Sequence, residues 1–279
     1  MSRKIKFCKM HGAGNDFILI NNNQGHISGE ENSLIRTLCH RHLGIGADGL
    51  MLIDFEDHKN FNLRYFNADG NESTMCGNGA RCAVYFVHQE FPGTDQFSFK
   101  IAGNTYQAEI VGKERIRLEW NFYPEIKHAN ELRKIIPEEC TAGLWIDSGV
   151  PHLVLDYPES LDNLDVSHWG PFFRKHPFFA PQGTNVNFIS DQGNYLQIRT
   201  YERGVEAETM ACGTGVLAAA VACQYWKKRE FPVRFKAWGG TLEVGKMEDS
   251  GNLWLAGPVK QVFSGEISLE EFRGEKTEI

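Results

Sequence analysis

The sequence predicts an α+β protein built as two pseudo-symmetric domains, each a mixed β-sheet or barrel wrapped around one central helix. Three observations predict it. The chain has 279 residues, room for about two domains at ~150 residues each. Short blocks recur in the same order at nearly one offset, close to half the chain. Each half also pairs a series of short alternating or β-branched runs with a helical pattern that begins just after a cysteine. With 42% hydrophobic and 12% aromatic residues, each half can fill a core of its own, which excludes a mainly disordered or fibrous protein.

The repeat is clearest where Cys76-Gly77-Asn78-Gly79 meets Cys212-Gly213-Thr214-Gly215, an offset of 136. Upstream, Arg64-Tyr65-Phe66-Asn67-Ala68-Asp69-Gly70 lines up with Arg199-Thr200-Tyr201-Glu202-Arg203-Gly204 at 134 to 135. Gly14-Asn15-Asp16-Phe17 matches Gly149-Val150-Pro151-His152 at 135, and Gly46-Ala47-Asp48 matches Gly183-Thr184-Asn185 at 137.

The first half reads as strands at 17–20, 50–55, 62–66, 97–101, 105–111 and 115–120. Their counterparts are 153–155, 186–189, 196–201, 233–237, 241–244 and 253–256. Helices are expected at 31–42, 77–88 and 213–228. The last carries Val216, Leu217 and Ala218 to Ala222, too apolar on every side for a surface helix, so it belongs inside its domain. The expected domains are 1–120, with 264–279 packing back on it, and 121–263.

The net charge of −7 has the wrong sign for a general nucleic-acid or anionic-membrane binder. The start of the chain carries Arg3, Lys4, Lys6 and Lys9, and no uninterrupted apolar stretch follows, so neither a signal peptide nor a transmembrane segment is expected. The seven cysteines are odd in number and include no C-x-x-C pair, which points to reduced thiols in a cytoplasm rather than to disulfides or a metal site. His40 and His42, flanking Arg41, read as residues of a helix C-terminus and not as metal ligands. The aromatic group Trp169, Phe172, Phe173, Phe178 and Phe179 reads as packing around an irregular segment. No P-loop or dinucleotide fingerprint is present.

A cysteine placed just before a Gly-x-Gly turn that opens a helix lies at the positive end of the macrodipole, among backbone N–H groups with no partner inside the helix. That position lowers a thiol from ~8.5 toward neutrality, making sulfur a usable base or nucleophile. The glycines admit close backbone approach, and the N–H groups suit a carboxylate. Two such sites across an interdomain cleft suit one reaction above others: one thiolate takes an α-proton while the opposite thiol returns a proton to the other face. Cys76 and Cys212 are the candidates, whereas Cys8, Cys39, Cys82, Cys140 and Cys223 lack the context.

On these residues the sequence resembles the diaminopimelate epimerase family, essentially end to end. The blocks are Lys9-Met10-His11-Gly12-Ala13-Gly14-Asn15-Asp16-Phe17, Gly44-Ile45-Gly46-Ala47-Asp48-Gly49, Phe66-Asn67-Ala68-Asp69-Gly70 and Met75-Cys76-Gly77-Asn78-Gly79-Ala80-Arg81-Cys82. They continue with Gly183-Thr184-Asn185, then Glu202-Arg203-Gly204-Val205-Glu206-Ala207-Glu208-Thr209 and Ala211-Cys212-Gly213-Thr214-Gly215. The resemblance implies a proton-transfer pair, Cys76 and Cys212, and a carboxylate site made by Gly77-Asn78 and Gly213-Thr214. It also implies that Asn15, Asn67, Asn185 and Arg203 recognise the non-reacting end of the substrate, and that His152 and Glu202 line the cleft and tune the thiols. Two domains that close on an amino-acid substrate, a homodimer and no cofactor are implied as well. The chain departs from many members at Val150, where they have Asn, and from some at Gly49, where they have Gln.

Two rival readings follow. One keeps the chemistry and changes the substrate to proline, hydroxyproline or histidine. Arg203 with three asparagines argues against it, because a small substrate needs no clamp for a distal carboxylate. The other is a thiol-based redox or ligand-binding protein whose two cysteines bond to each other.

Overall fold

The computed structural model describes residues 4–128 and 131–273; the remainder, including 274–279 of the segment expected to pack back, lies outside the described residues. The chain runs β1 (Lys4–Gly12), β2 (Asn15–Asn21), α1 (Asn32–Cys39), β3 (Gly49–Phe55), β4 (Asn60–Asn67) and β5 (Glu72–Ser73). Next come α2 (Gly77–Glu90), β6 (Gln96–Ile101), β7 (Asn104–Gly112), β8 (Arg115–Glu119) and β9 (Glu125–His128). After them are β10 (Ala142–Asp147), β11 (Pro151–Asp156), α3 (Val166–Arg174), β12 (Asn185–Asp191), β13 (Leu196–Glu202) and β14 (Ala207–Thr209). The chain closes with α4 (Gly213–Tyr225), β15 (Val233–Ala237), β16 (Gly240–Lys246), β17 (Leu253–Pro258), β18 (Lys260–Ser268) and α5 (Leu269–Arg273).

The chain divides into two compact units, one of residues up to 118 together with those from 258, the other of residues 119–257. Within the first unit, β1 lies antiparallel to β2 and to β18, β2 parallel to β3, β3 antiparallel to β4, and β4 parallel to β6. Within the second, β10 lies antiparallel to β11 and to β9, β11 parallel to β12, β12 antiparallel to β13, and β13 parallel to β15. The two orders match strand for strand.

In the first unit the sheet is covered on both faces, which is why β2 and β3 read as near-continuous apolar runs. Phe17, Leu19, Met51 and Ile53 point to the cluster holding Ala80, Ala83, Val84 and Val87 of α2. Ile18, Ile20, Leu50 and Leu52 point to the cluster holding Leu34, Ile35 and Leu38 of α1. In the second unit Leu153, Leu155, Val186 and Phe188 pack with Val166 and Phe173 of α3. Helix α4 is buried on every side from Gly213 to Cys223, apart from half-exposed Thr214.

The twelve expected strands overlap observed ones, and six observed strands, β1, β5, β9, β10, β14 and β18, went unread. Helix α1 stops at Cys39, short of the expected residue 42. His40 is extended and its Nδ1 accepts from the backbone of His42 and Leu43, so these histidines form a turn after the helix. The aromatic segment expected to be irregular is largely helical. Pro171 lies inside α3, where it lacks the N–H that would reach back a turn, and so it masked the periodicity.

Matching turn glycines underlie the legible repeat. Gly14 has φ +88° and Gly149 φ +94°, a conformation that L side chains rarely adopt. One block shifts register in the structure. Phe17 faces Gly49 while His152 faces Asn185, so Asn185 corresponds to Gly49 and not to Asp48.

Candidate active site

Cys76 is the N-cap of α2 and Cys212 that of α4. Both have extended backbone (φ −121°, ψ 110° and φ −113°, ψ 115°), and neither side chain caps its helix. Each thiol stands at a helix start, where the dipole and the first-turn N–H groups favour negative charge. Cys76 is half-buried and Cys212 buried, and the other five thiols lie away from these helix starts. Burial pushes Cys8 up to about 11 and Cys39, Cys140 and Cys223 up to about 12, and it raises Cys82 further still.

In the first unit, Asn15, Cys76 and Asn78 come together. Asn15 Nδ2 donates to Asp48 Oδ2 at 2.7 Å, and since a carboxylate only accepts, the Asn15 carbonyl is turned toward the thiol. Cys76 Sγ lies 3.7 Å from that Oδ1, and Asn78 Nδ2 lies 3.4 Å from it. Asp48 shares Arg41 with Asp16, which also pairs with buried Lys9 at 2.7 Å. Burial alone would raise the Asp16 carboxyl. Hydrogen bonds from Arg41 and Lys9 outweigh it and hold the group far below the usual range.

Arg81, wholly buried, donates from Nη2 to Asn78 Oδ1 at 2.7 Å; its Nε and Nη1 find no partner among the described residues. Burial lowers this guanidinium to about 10. Gly12 lets the β1 backbone lie against the first turn of α2, since a Cβ there would be 2.5 Å from the Asn78 carbonyl oxygen. Asn67, at the end of β4, accepts a 2.7 Å hydrogen bond from Tyr65. A Cβ at Gly49 would meet the Tyr65 ring and the Phe66 carbonyl oxygen at 2.6 Å, so a larger residue there requires both to shift.

In the second unit, His152, Thr214 and Cys212 form a chain. His152 is fully buried; its Nε2 lies 3.0 Å from Thr214 Oγ1, which lies 3.4 Å from Cys212 Sγ. Ser148 fixes the same turn by donating from Oγ to the Thr214 carbonyl at 2.8 Å. Asn185 uses its amide to accept from Arg203 N at 2.8 Å and to donate to the Pro151 carbonyl at 2.9 Å, pinning Arg203 to the start of β11. Glu202 accepts from the Thr209 hydroxyl, Glu206 pairs with Arg174 and Glu208 with Arg199. Among the described residues, the Arg203 guanidinium has no ion-pair partner. Val150 is half-buried beside Pro151.

Burial pulls His152 down to about 3; the Asn187 hydrogen bond opposes this and the Arg203 charge adds to it. Because the folded value is depressed, the unfolded chain takes up the proton first as pH falls. Stability is therefore lost between pH 6.5 and about 3, at up to about 1.4 kcal/mol per pH unit. In His152→Phe, which copies Phe17 of the first unit, the urea midpoint is expected to fall less steeply between pH 6.5 and 4 than in the wild type. Equal slopes would contradict this assignment.

Sequence reasoning missed Arg41, Asp48, Ser148, Asn187 and Thr200 as supports. The signal was present for Asn187: with Asn185 it forms a period-two polar pair at the start of a strand whose next residues, Phe188 and Ile189, are apolar. Among the described residues no cluster of His, Cys, Asp or Glu is placed to hold a metal ion, and no helix is long and apolar enough to cross a membrane.

A family model described as "Diaminopimelate epimerase" matches residues 7–119 and 144–262. A "Diaminopimelate epimerase" of Chlorobaculum tepidum is 41% identical over 269 residues, covering 93% of this chain and 100% of that protein. Another from Hydrogenobaculum sp. is 37% identical, covering 95% and 99%. A solved PhzF-family phenazine biosynthesis protein of Bacillus anthracis superposes with TM-score 0.73 at 15% identity over 95% of this chain and 99% of that one, a likeness of fold.

Proposed function

The chain belongs to the diaminopimelate epimerase family, and from that premise we propose that it interconverts LL- and meso-diaminopimelate by two-base proton transfer between Cys76 and Cys212. The observation that carries this reading is the equivalent placement of the two cysteines, each the N-cap of a helix whose first turns pack in the core of one of two units with the same strand order.

One thiolate removes the α-proton and becomes a thiol. The other thiol protonates the opposite face and becomes a thiolate, so each turnover exchanges their states. First-turn N–H groups at Gly77-Asn78 and Gly213-Thr214 hold the α-carboxylate and stabilise the charge that develops beside it. Arg203 supplies a planar fork for the distal carboxylate, and its lack of an ion pair within the described residues supports this role. Asn15 and Asn67 serve the same end, with Asn185 holding Arg203. No cofactor takes part. The two units act as two domains of one cytoplasmic enzyme that pairs as a homodimer, in lysine and peptidoglycan precursor synthesis.

The test is incubation of the reduced protein with LL-diaminopimelate beside proline, hydroxyproline and histidine, with chiral separation of products. Diaminopimelate should invert fastest; faster inversion of another amino acid would sink the substrate assignment. Arg203→Ala should raise KM about 10-fold or more with a smaller change in kcat. An unchanged KM would remove the clamp.

A further inference from the structure

The hydrogen-bond directions around Cys212 can be read from groups whose roles are fixed. Asn187 lies on β12, wholly buried, and its Nδ2 is 3.0 Å from the Leu153 carbonyl, which can only accept. That contact fixes the amide: the NH2 end faces Leu153 and also faces His152 Nδ1 at 3.0 Å, while Oδ1 accepts from the Thr200 hydroxyl at 3.0 Å. A reversed amide would set two carbonyl oxygens against each other. His152 Nδ1 therefore accepts, and the proton of the neutral ring is on Nε2, aimed at Thr214 Oγ1. That N–H takes one lone pair of the Thr214 hydroxyl and leaves its proton free for Cys212 Sγ, 3.4 Å away, a contact in which either group can donate.

The first unit has the opposite polarity. Asp48 turns the Asn15 carbonyl toward Cys76, so the Cys76 sulfur meets an acceptor. Met51, equivalent to Asn187, offers no hydrogen bond, and Phe17 stands in place of His152.

We infer that Asn187 is a positioning residue for Cys212: it fixes His152 as the Nε2–H tautomer, makes the Thr214 hydroxyl a donor, and so places the resting negative charge on Cys212 and the resting proton on Cys76. This rests on the two-thiol reading and assigns the starting state within it. The charge that reaches the chain is that of Arg203, acting on His152, while Glu202 accepts from Thr209; Lys or Arg side chains do not bond Thr214 or His152 among the described residues. Arg81 acts in the other direction, as a buried cation that favours charge on Cys76.

The test combines two measurements on reduced protein. Long-range ¹H–¹⁵N spectra of histidine-labelled protein, with His152 assigned by its loss in His152→Gln, report the tautomer. Alkylation by iodoacetamide across pH, mapped by peptide mass spectrometry, reports the ionisation midpoint of each thiol. The wild type should show Nε2–H at His152 and a lower midpoint for Cys212 than for Cys76. An ionised Asn187→Asp side chain supplies only acceptors, so it should transfer the ring proton to Nδ1 and raise the Cys212 midpoint by about one pH unit or more, leaving Cys76 in place. An Nδ1–H tautomer in the wild type overturns the inference, a result that needs no folded variant. A lower midpoint for Cys76 overturns it too, with Arg81 outweighing the hydrogen bonds. An unmoved Cys212 midpoint in folded Asn187→Asp removes Asn187 from the chain. Epimerisation by the same wild-type sample tests the underlying reading separately: turnover with the wrong tautomer sinks only this inference, and no turnover with the right tautomer sinks only the two-thiol function.

Discussion

Cys76→Ala and Cys212→Ala should each lower the inversion of diaminopimelate by about 10³-fold or more, the scale of losing a positioned acid or base. Alanine keeps the β-carbon and removes only sulfur. Neither cysteine caps its helix with its side chain, so α2 and α4 should start unchanged and the melting temperature should move little. Cys82→Ala, at a thiol that burial keeps protonated, should leave turnover within a small factor of wild type. Retention of more than about a tenth of turnover in either of the first two variants would contradict the acid–base pair.

Gly12→Ala should reduce kcat about 100-fold through geometry alone, since displacements near 1 Å cost that much at a reacting centre. The added methyl would be 2.5 Å from the Asn78 carbonyl oxygen, a backbone atom that cannot rotate away. The first turn of α2 must therefore move from β1, carrying Cys76 and the Asn78 amide with it. Overpacking of this kind should also lower stability by about 1–3 kcal/mol. Gly112→Ala, where the nearest atom is the Arg115 β-carbon at 3.8 Å, is the control and should be silent. An unchanged kcat in Gly12→Ala would show that the position of the α2 start is not critical.

The parts of this protein that the sequence revealed are those where one residue type alone meets a physical requirement. Glycines at positive φ recur at Gly14 and Gly149, so the repeat was visible despite little other identity. Helix α4 was legible as buried because its apolar residues leave no polar face. Strand β1 alternates Lys4-Ile5-Lys6-Phe7, yet its lysines read as a charged start of the chain; Lys9 is in fact buried against Asp16. Strand β18 exposes Val262, Phe263 and Ser264 in succession, so no alternation marked it. The supports of the two cysteines were hidden for a different reason. Asn187, Thr200 and Ser148 act through side-chain pairings between strands or with α4, which follow from strand register and not from spacing along the chain. Arg81 stands inside the Met75–Cys82 block, but its burial beneath Asn78 is a property of the packed helix and not of the block's spacing.

The most direct test of the central claim is proton NMR of the reduced protein with pure LL-diaminopimelate in D₂O. The two-thiol account predicts loss of one α-proton signal together with appearance of the meso isomer, the new α-position carrying deuterium from solvent. Formation of the meso isomer with its original α-proton retained, or no loss of signal at all, would contradict it.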